Sequence, residues 1–152
     1  MAAIEKYVVF ILKNDLDRQG EFKNPKNVDI DFYGDSFSLD GNFNFSASSN
    51  TYFKNAIRFS IFISSLGLDF MRYPKFIFCD NMEDKGMEKE RTQNLQRLIV
   101  RISESFKDKQ EHQIIFSTSM IADELNNSLY CVGADYDQNN KTQKVNLSTN
   151  SI

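Results

Sequence analysis

The chain is short of the residues that most often carry chemistry. It has one histidine, His112, and two cysteines, Cys79 and Cys131, among 152 residues. His112 sits between Lys109, Gln110, Glu111 and Gln113, just ahead of an apolar run. A solvated loop histidine is expected there rather than a catalytic base, because no serine or cysteine partner is placed for it by any motif. Both cysteines lie in apolar runs, which predicts free, buried thiols in a reducing compartment. No Cys/His cluster has zinc-binding spacing. Positive charge is not in excess either: the net charge is −3, so no global basic field draws nucleic acid. No apolar run reaches the roughly 18 residues of a membrane span. The longest candidate, around Phe59 to Leu68, is interrupted by serines and Gly67 and runs into Asp69. No signal peptide is visible. The expectation is a cytoplasmic protein with no membrane partner.

What is present is enough apolar sequence for a core. Hydrophobic residues make up 41% of the chain, which suits a single domain. Ile4, Tyr7, Val8, Ile11 and Leu12 recur at helical spacing, and the helix fades through DLDRQGEF toward Gly20, with Pro25 marking the break. Val28, Ile30 and Phe32 alternate with aspartates, and Phe37 and Leu39 with serines. With Tyr33-Gly34-Asp35 between them they predict a hairpin, followed by a turn at Asp40-Gly41-Asn42. From Asn50 to about Leu66 the sequence is apolar nearly all round, which predicts a buried helix. Phe76 to Cys79 is a short continuous apolar run, as expected of a central parallel strand. Leu95, Leu98, Ile99, Ile102 and Phe106 share one helical face, and Arg91, Arg97, Arg101 and Glu104 are assigned to the other. Gln113 to Phe116 predicts a further buried strand ending in Ser117-Thr118-Ser119, with a short helix from about Ile121. Leu129 to Val132 and Lys144 to Leu147 are expected to be final strands. The predicted class is α/β: a mostly parallel sheet flanked by helices, with an antiparallel hairpin near the N-terminus.

Three pieces follow one another in order. The Ser-rich turn in NFSASSNTYFKNAIRF opens the buried helix, FIFCDN is an apolar strand that ends on Asp80, and QIIFSTS is a strand that ends in small hydroxyl residues. This order resembles the C-terminal lobe of an ABC-type ATPase head of the SMC-like branch, which includes recombination and repair ATPases. The resemblance covers most of the chain from about Val28. It implies half of a P-loop NTPase head, with residues 1–22 as an entering helix, 23–147 as the lobe and 148–152 as a loose tail. FSASS stands where that family has its signature turn, so Ser46, Ala47, Ser48 and Ser49 are the implied ATP-binding residues. A helix N-terminus suits phosphate, through free N–H groups and the helix dipole. Asp80 falls at the Walker B position and is the implied Mg²⁺ ligand. Ser119 falls at the switch position. The implied cofactors, ATP and Mg²⁺, belong to the complete head. The implied partners are a Walker-A-bearing N-terminal lobe of the same or another chain, a second head, and DNA in the full assembly, although no residue here reads DNA.

Departures from the family pattern weaken the expected catalysis. No GxxxxGK[ST] loop occurs, so nothing cradles the β- and γ-phosphates, and half a head is expected, either a fragment or one partner of a split protein. Ala47 and Ser48 replace both signature glycines, and a Cβ narrows the approach of phosphate to backbone. Asn81 stands where a water-polarising glutamate is usual, and an amide orients water without accepting its proton. Weak or conditional hydrolysis follows unless Glu83, Asp84 or Glu88 supplies the carboxylate.

Plainer readings exist for each piece. A Ser-rich turn before a helix is commonly an N-cap. Lys54 and Arg58 lie at i, i+4 on the same helix, facing either a ligand or solvent. Lys85, Lys89 and Arg91 interleave with acids, which predicts a solvated helix start. A phosphoacceptor receiver domain also places Asp at a strand tip, as in Asp80-Asn81-Met82, but needs an earlier acidic pair and two helices before that strand. A non-catalytic interaction module of the same fold is the third alternative.

Overall fold

The computed structural model describes residues 2–83, 86–127 and 129–132. Met1–Ala122 forms one compact unit and Asp123–Ile152 a second. In the first unit, helix α1 (Ala2–Lys13) buries Ile4, Val8, Ile11 and Leu12, the stripe expected from their spacing. It packs along α2 (Ala47–Gly67), and the Tyr52 hydroxyl on α2 donates to the Ile11 carbonyl at 3.2 Å. The hairpin expected from the alternating pattern is present as β1 (Val28–Asp31) and β2 (Ser36–Leu39), antiparallel with Val28 opposite Leu39. Its turn is set by Asp31, whose carboxylate accepts the N–H groups of Tyr33 and Gly34 at 2.9 and 3.0 Å. A Cβ at Gly34 would meet that carboxylate at 2.6 Å, so any larger residue there would displace Asp31 from the turn.

A 3-10 turn, Gly20–Phe22, delivers Phe22 into an aromatic cluster. Phe45, Tyr52 and Phe53 surround it at ring separations of 5.8, 6.1 and 6.0 Å, and Phe37 from the hairpin meets Phe53 edge-on at 4.8 Å. This cluster joins the loop after α1, the hairpin and α2 in one core. Past its first turn and before Gly67, the exposed positions of α2 are Lys54 and Arg58. The expectation of a buried helix therefore holds.

Strands β3 (Phe76–Asp80) and β4 (Gln113–Ser117) pair in parallel, with Phe78 opposite Ile115 and Asp80 opposite Ser117. The crossover between them is α3 (Lys89–Glu104), which buries Leu95, Leu98, Ile99 and Ile102 as expected. Two side chains on α3 fix the segment after β4. Gln93 donates to the Ile121 carbonyl at 2.8 Å, and Gln96 accepts the Ala122 N–H at 2.8 Å while donating to the Met120 carbonyl at 3.1 Å.

Several expectations need correction. There are two separate two-stranded sheets among the described residues rather than one mostly parallel sheet, so β3 is not central. Only its Ile77 and Cys79 face inward, while Phe76 and Phe78 are 56% and 58% exposed. β4 is likewise not buried on both faces. Finally, Leu129 to Val132 is not a strand: the Tyr130 and Cys131 N–H groups both turn back to the Asn127 carbonyl, at 3.1 and 2.8 Å. In that second unit the short helix expected from about Ile121 is a 3-10 turn, Asp123–Leu125, and Cys131 is exposed, not buried. The strand expected at Lys144 to Leu147 lies outside the described residues. Among the described residues no helix is long and apolar enough to cross a membrane.

The contrast between the two kinds of phenylalanine is measurable. Phe53→Ala should cost about 3–5 kcal/mol of unfolding free energy, whereas Phe78→Ala should stay within about 0.5 kcal/mol. Urea titration followed by circular dichroism measures both. A Phe78→Ala cost close to that of Phe53→Ala would mean the outer face of β3 is covered.

Candidate functional site

The first turn of α2 is built on a charge that periodicity alone assigns to the wrong face. Arg91, expected on the solvated side of α3, is 1% exposed. Its Nε donates to Asp15 Oδ1 at 3.0 Å and its Nη2 to Asp15 Oδ2, a bidentate pair in which Asp15 is equally buried. Its Nη1 donates to the hydroxyls of Ser48 and Ser49 at 3.0 and 3.2 Å. The guanidinium also lies 4.8 Å above the Tyr52 ring. Burial pushes the Asp15 carboxyl above its ordinary range, and the hydrogen bond and charge of Arg91 pull it back. Burial, reinforced by Asp15's charge, also pushes the Tyr52 phenol up, so it stays a neutral donor.

The four residues expected to bind ATP therefore divide. Ser46 is the N-cap of α2, its hydroxyl oxygen accepting the Ser49 N–H at 3.2 Å. The Ser48 and Ser49 hydroxyls point inward to Arg91. Ser46 and Ala47 are exposed. The N–H groups of Ala47 and Ser48 belong to the helix's first turn, where no intrahelical acceptor exists.

The tip of β3 is the second element. Asp80 is exposed at its end. Asn81 follows with φ of +46°, a left-handed conformation that asparagine tolerates, while its N–H extends the ladder to the Ser117 carbonyl at 2.8 Å. The Met82 carbonyl accepts from Asn55 on α2 at 3.2 Å, tying the turn to that helix. Glu83 then reaches the end of β4. Its Oε1 accepts the Ser119 N–H and hydroxyl at 2.8 and 2.9 Å, and its Oε2 accepts the Thr118 hydroxyl at 2.8 Å. Partial burial pushes the Glu83 carboxyl up, but these donors together with its own amide outweigh that and hold it below the ordinary glutamate value. Of the other two candidate acids, Glu88 forms an exposed ion pair with Arg18 at 2.9 Å, and Asp84 lies outside the described residues.

Between α2 and β3 runs a cleft of about 530 Å³. Asn50, Thr51, Lys54 and Arg58 line it from α2, and Asp80 and Asn81 from the strand tip. Cys79 also borders it, but burial pushes its thiol up to about 11 against the opposing charge of Arg58, so it is no thiolate nucleophile. His112 is half-buried rather than solvated: Nε2 lies 2.7 Å from the Ser103 hydroxyl, Nδ1 lies 2.6 Å from the Gln110 carbonyl, and the ring packs against Phe62.

Chemically, the cleft offers two exposed cations, Lys54 and Arg58, and one exposed carboxylate, Asp80. No group of three His, Cys, Asp or Glu side chains that could hold a metal occurs among the described residues. One carboxylate, Asp80, fits Mg²⁺, which one or two carboxylates commonly share with phosphates and water, and does not fit a closed zinc or calcium cage. Glu83, stabilised as its anion and hydrogen-bonded on both oxygens, is a weak proton acceptor. Comparison with protein-family models, curated proteins and solved structures found no match. Arg91 and Asp15 escaped the sequence reading, although each extends an apolar stripe: Asp15 follows Ile11 by four residues, and Arg91 precedes Leu95 by four.

The Glu83 clamp has a pH signature. A carboxyl held below its ordinary 4.5 stabilises the fold above that pH, and the contribution is lost as pH falls through the lowered value. Glu83→Gln should therefore cost about 1 kcal/mol at neutral pH, with partial exposure limiting the effect. The difference from wild type should shrink steadily below pH 4.5. Chemical denaturation of both proteins across the acid range measures this, and a pH-independent difference would reject the clamp.

Proposed function

We propose that the chain is the C-terminal lobe of an SMC-like, ABC-type ATPase head, half of a P-loop NTPase head. It supplies the signature turn and the Walker B aspartate for ATP-driven head dimerisation, with slow hydrolysis, in DNA-linked repair or defence. The observation that carries this reading is the parallel register of β3 and β4. It sets Asp80 beside Ser117, and Glu83 bridges from the same turn to Thr118 and Ser119. In this reading the metal and switch positions would fall on adjacent strand ends, an arrangement that supports a phosphoryl-transfer site. The uncapped N–H groups at the start of α2 add a place for phosphate.

In this reading Asp80 is the residue that would hold Mg²⁺. Bound ATP and Mg²⁺ supply the phosphoryl group and the charge neutralisation. The Ala47 and Ser48 N–H groups, with the Ser46 O–H, would be the donors for a γ-phosphate presented by the opposite head. Asn81 orients the attacking water but takes no proton from it. Glu83 positions Ser119 rather than acting as base.

The test is steady-state phosphate release at saturating ATP and Mg²⁺. The chain alone should be inactive, since nothing in it replaces a P-loop. With a Walker-A-bearing lobe in place, turnover should be slow. Asn81→Glu should raise it, with general-base assistance worth up to about 10²–10⁴-fold, and Asp80→Ala should abolish the Mg²⁺-dependent part. Fast wild-type turnover that Asn81→Glu slows would overturn the assignment of this turn.

A further inference from the structure

The cleft beside β3 has a second character that the phosphate chemistry does not use. Residues 77–82 of β3 and its following turn line it, facing α2, and no residue of β4 does. The cleft therefore runs along the edge of β3 that is not paired with β4. β3 has β4 as its one strand partner among the described residues, so among them no strand pairs with the backbone N–H and C=O groups of that edge. A two-stranded parallel pair is marginal by itself, and parallel strands are ordinarily covered on both faces. Here the outer face shows Phe76, Phe78 and Ile115, at 56%, 58% and 39% exposure.

The opposite wall of the cleft is charged. Lys54 and Arg58 stand one turn apart on α2, both exposed, and Asp80 at the strand tip is the one acid among the lining residues. We infer that this groove accepts an extended segment of a partner chain, added to the free edge of β3 as a further strand, in which acidic and apolar residues alternate. The alternation follows from strand geometry. Side chains of the added strand that point toward α2, level with Ile77 and Cys79, meet Lys54 and Arg58, so they are acidic. Those on the other face lie flush with Phe76 and Phe78, so they are apolar. β3 has five residues, so the pairing needs a segment of about 17 Å. A nucleotide's phosphates would also neutralise Lys54 and Arg58, but would leave the strand edge and the aromatic face unpaired. The inference needs no metal at Asp80 and stands apart from the ATPase reading.

The probe is a fluorescein-labelled heptapeptide of alternating valine and glutamate with blocked ends, titrated with the chain and read by anisotropy. Saturable binding below about 1 mM is expected. The double variant Lys54→Glu, Arg58→Glu should weaken it at least about tenfold and should instead bind the valine–lysine analogue. Both positions are exposed, so circular dichroism should show an unchanged fold. N-methylation of alternate peptide amides along one edge should abolish binding, which a purely ionic contact would survive. No saturable binding, indifference to charge reversal, or indifference to N-methylation would each overturn the proposal. So would ADP displacing the peptide while the N-methylated peptide still binds, or dimerisation of the chain that the double variant abolishes, which would give the groove to a nucleotide or to a second copy.

Discussion

The buried pair of Arg91 and Asp15 is the constraint around which this fold is arranged. Two charges withdrawn from water cost several kcal/mol each. Here the cost is offset by a bidentate contact, by the hydroxyls of Ser48 and Ser49, and by the face of Tyr52. Those partners come from the loop after α1 and the first two turns of α2, and the guanidinium itself from the first turn of α3. None of them satisfies the guanidinium alone. The arrangement is thus favourable only when all three segments are in place together, and it makes the start of α2 depend on the start of α3.

That dependence matters for the candidate site. The first turn of α2 turns its Ser48 and Ser49 hydroxyls inward to Arg91 and leaves Ser46 and Ala47 exposed. The β3 tip is fixed by a separate device, Glu83, which locks the turn after Asp80 to the end of β4. Asn55 joins the two by holding the Met82 carbonyl. The cleft between them is therefore bounded by two braced walls, with Lys54 and Arg58 as its exposed cations.

Much of the architecture was legible in the sequence. Period-3.6 stripes located α1 and α3, a run apolar nearly all round located α2, and period-2 alternation located β1 and β2. The hairpin turn was legible because its chemistry is local: Asp31 and Gly34 settle it between them. What was not legible depended on distant partners. Arg91 looks like any cation on a mixed-charge helix until Asp15, 76 residues earlier in the chain, is placed against it. The run Phe76 to Cys79 predicts a strand covered on both faces, yet only one face is covered. Leu129 to Val132 has strand composition, but Asn127 draws the following N–H groups into a turn. For the site, Asp80 and Ser119 were placed by order alone. The Glu83 contact that links Ser119 to the Asp80 turn required the parallel register to be known.

The most direct test of this account is a double-mutant cycle on the buried pair, with Asp15→Leu, Arg91→Met and their combination followed by urea unfolding. Each single substitution strands a buried charge and should cost about 3–5 kcal/mol. The combination should recover much of that loss, giving a coupling of at least about 2 kcal/mol. Additive effects, or single costs below about 1 kcal/mol, would contradict the claim that this pair holds the first turn of α2 in place.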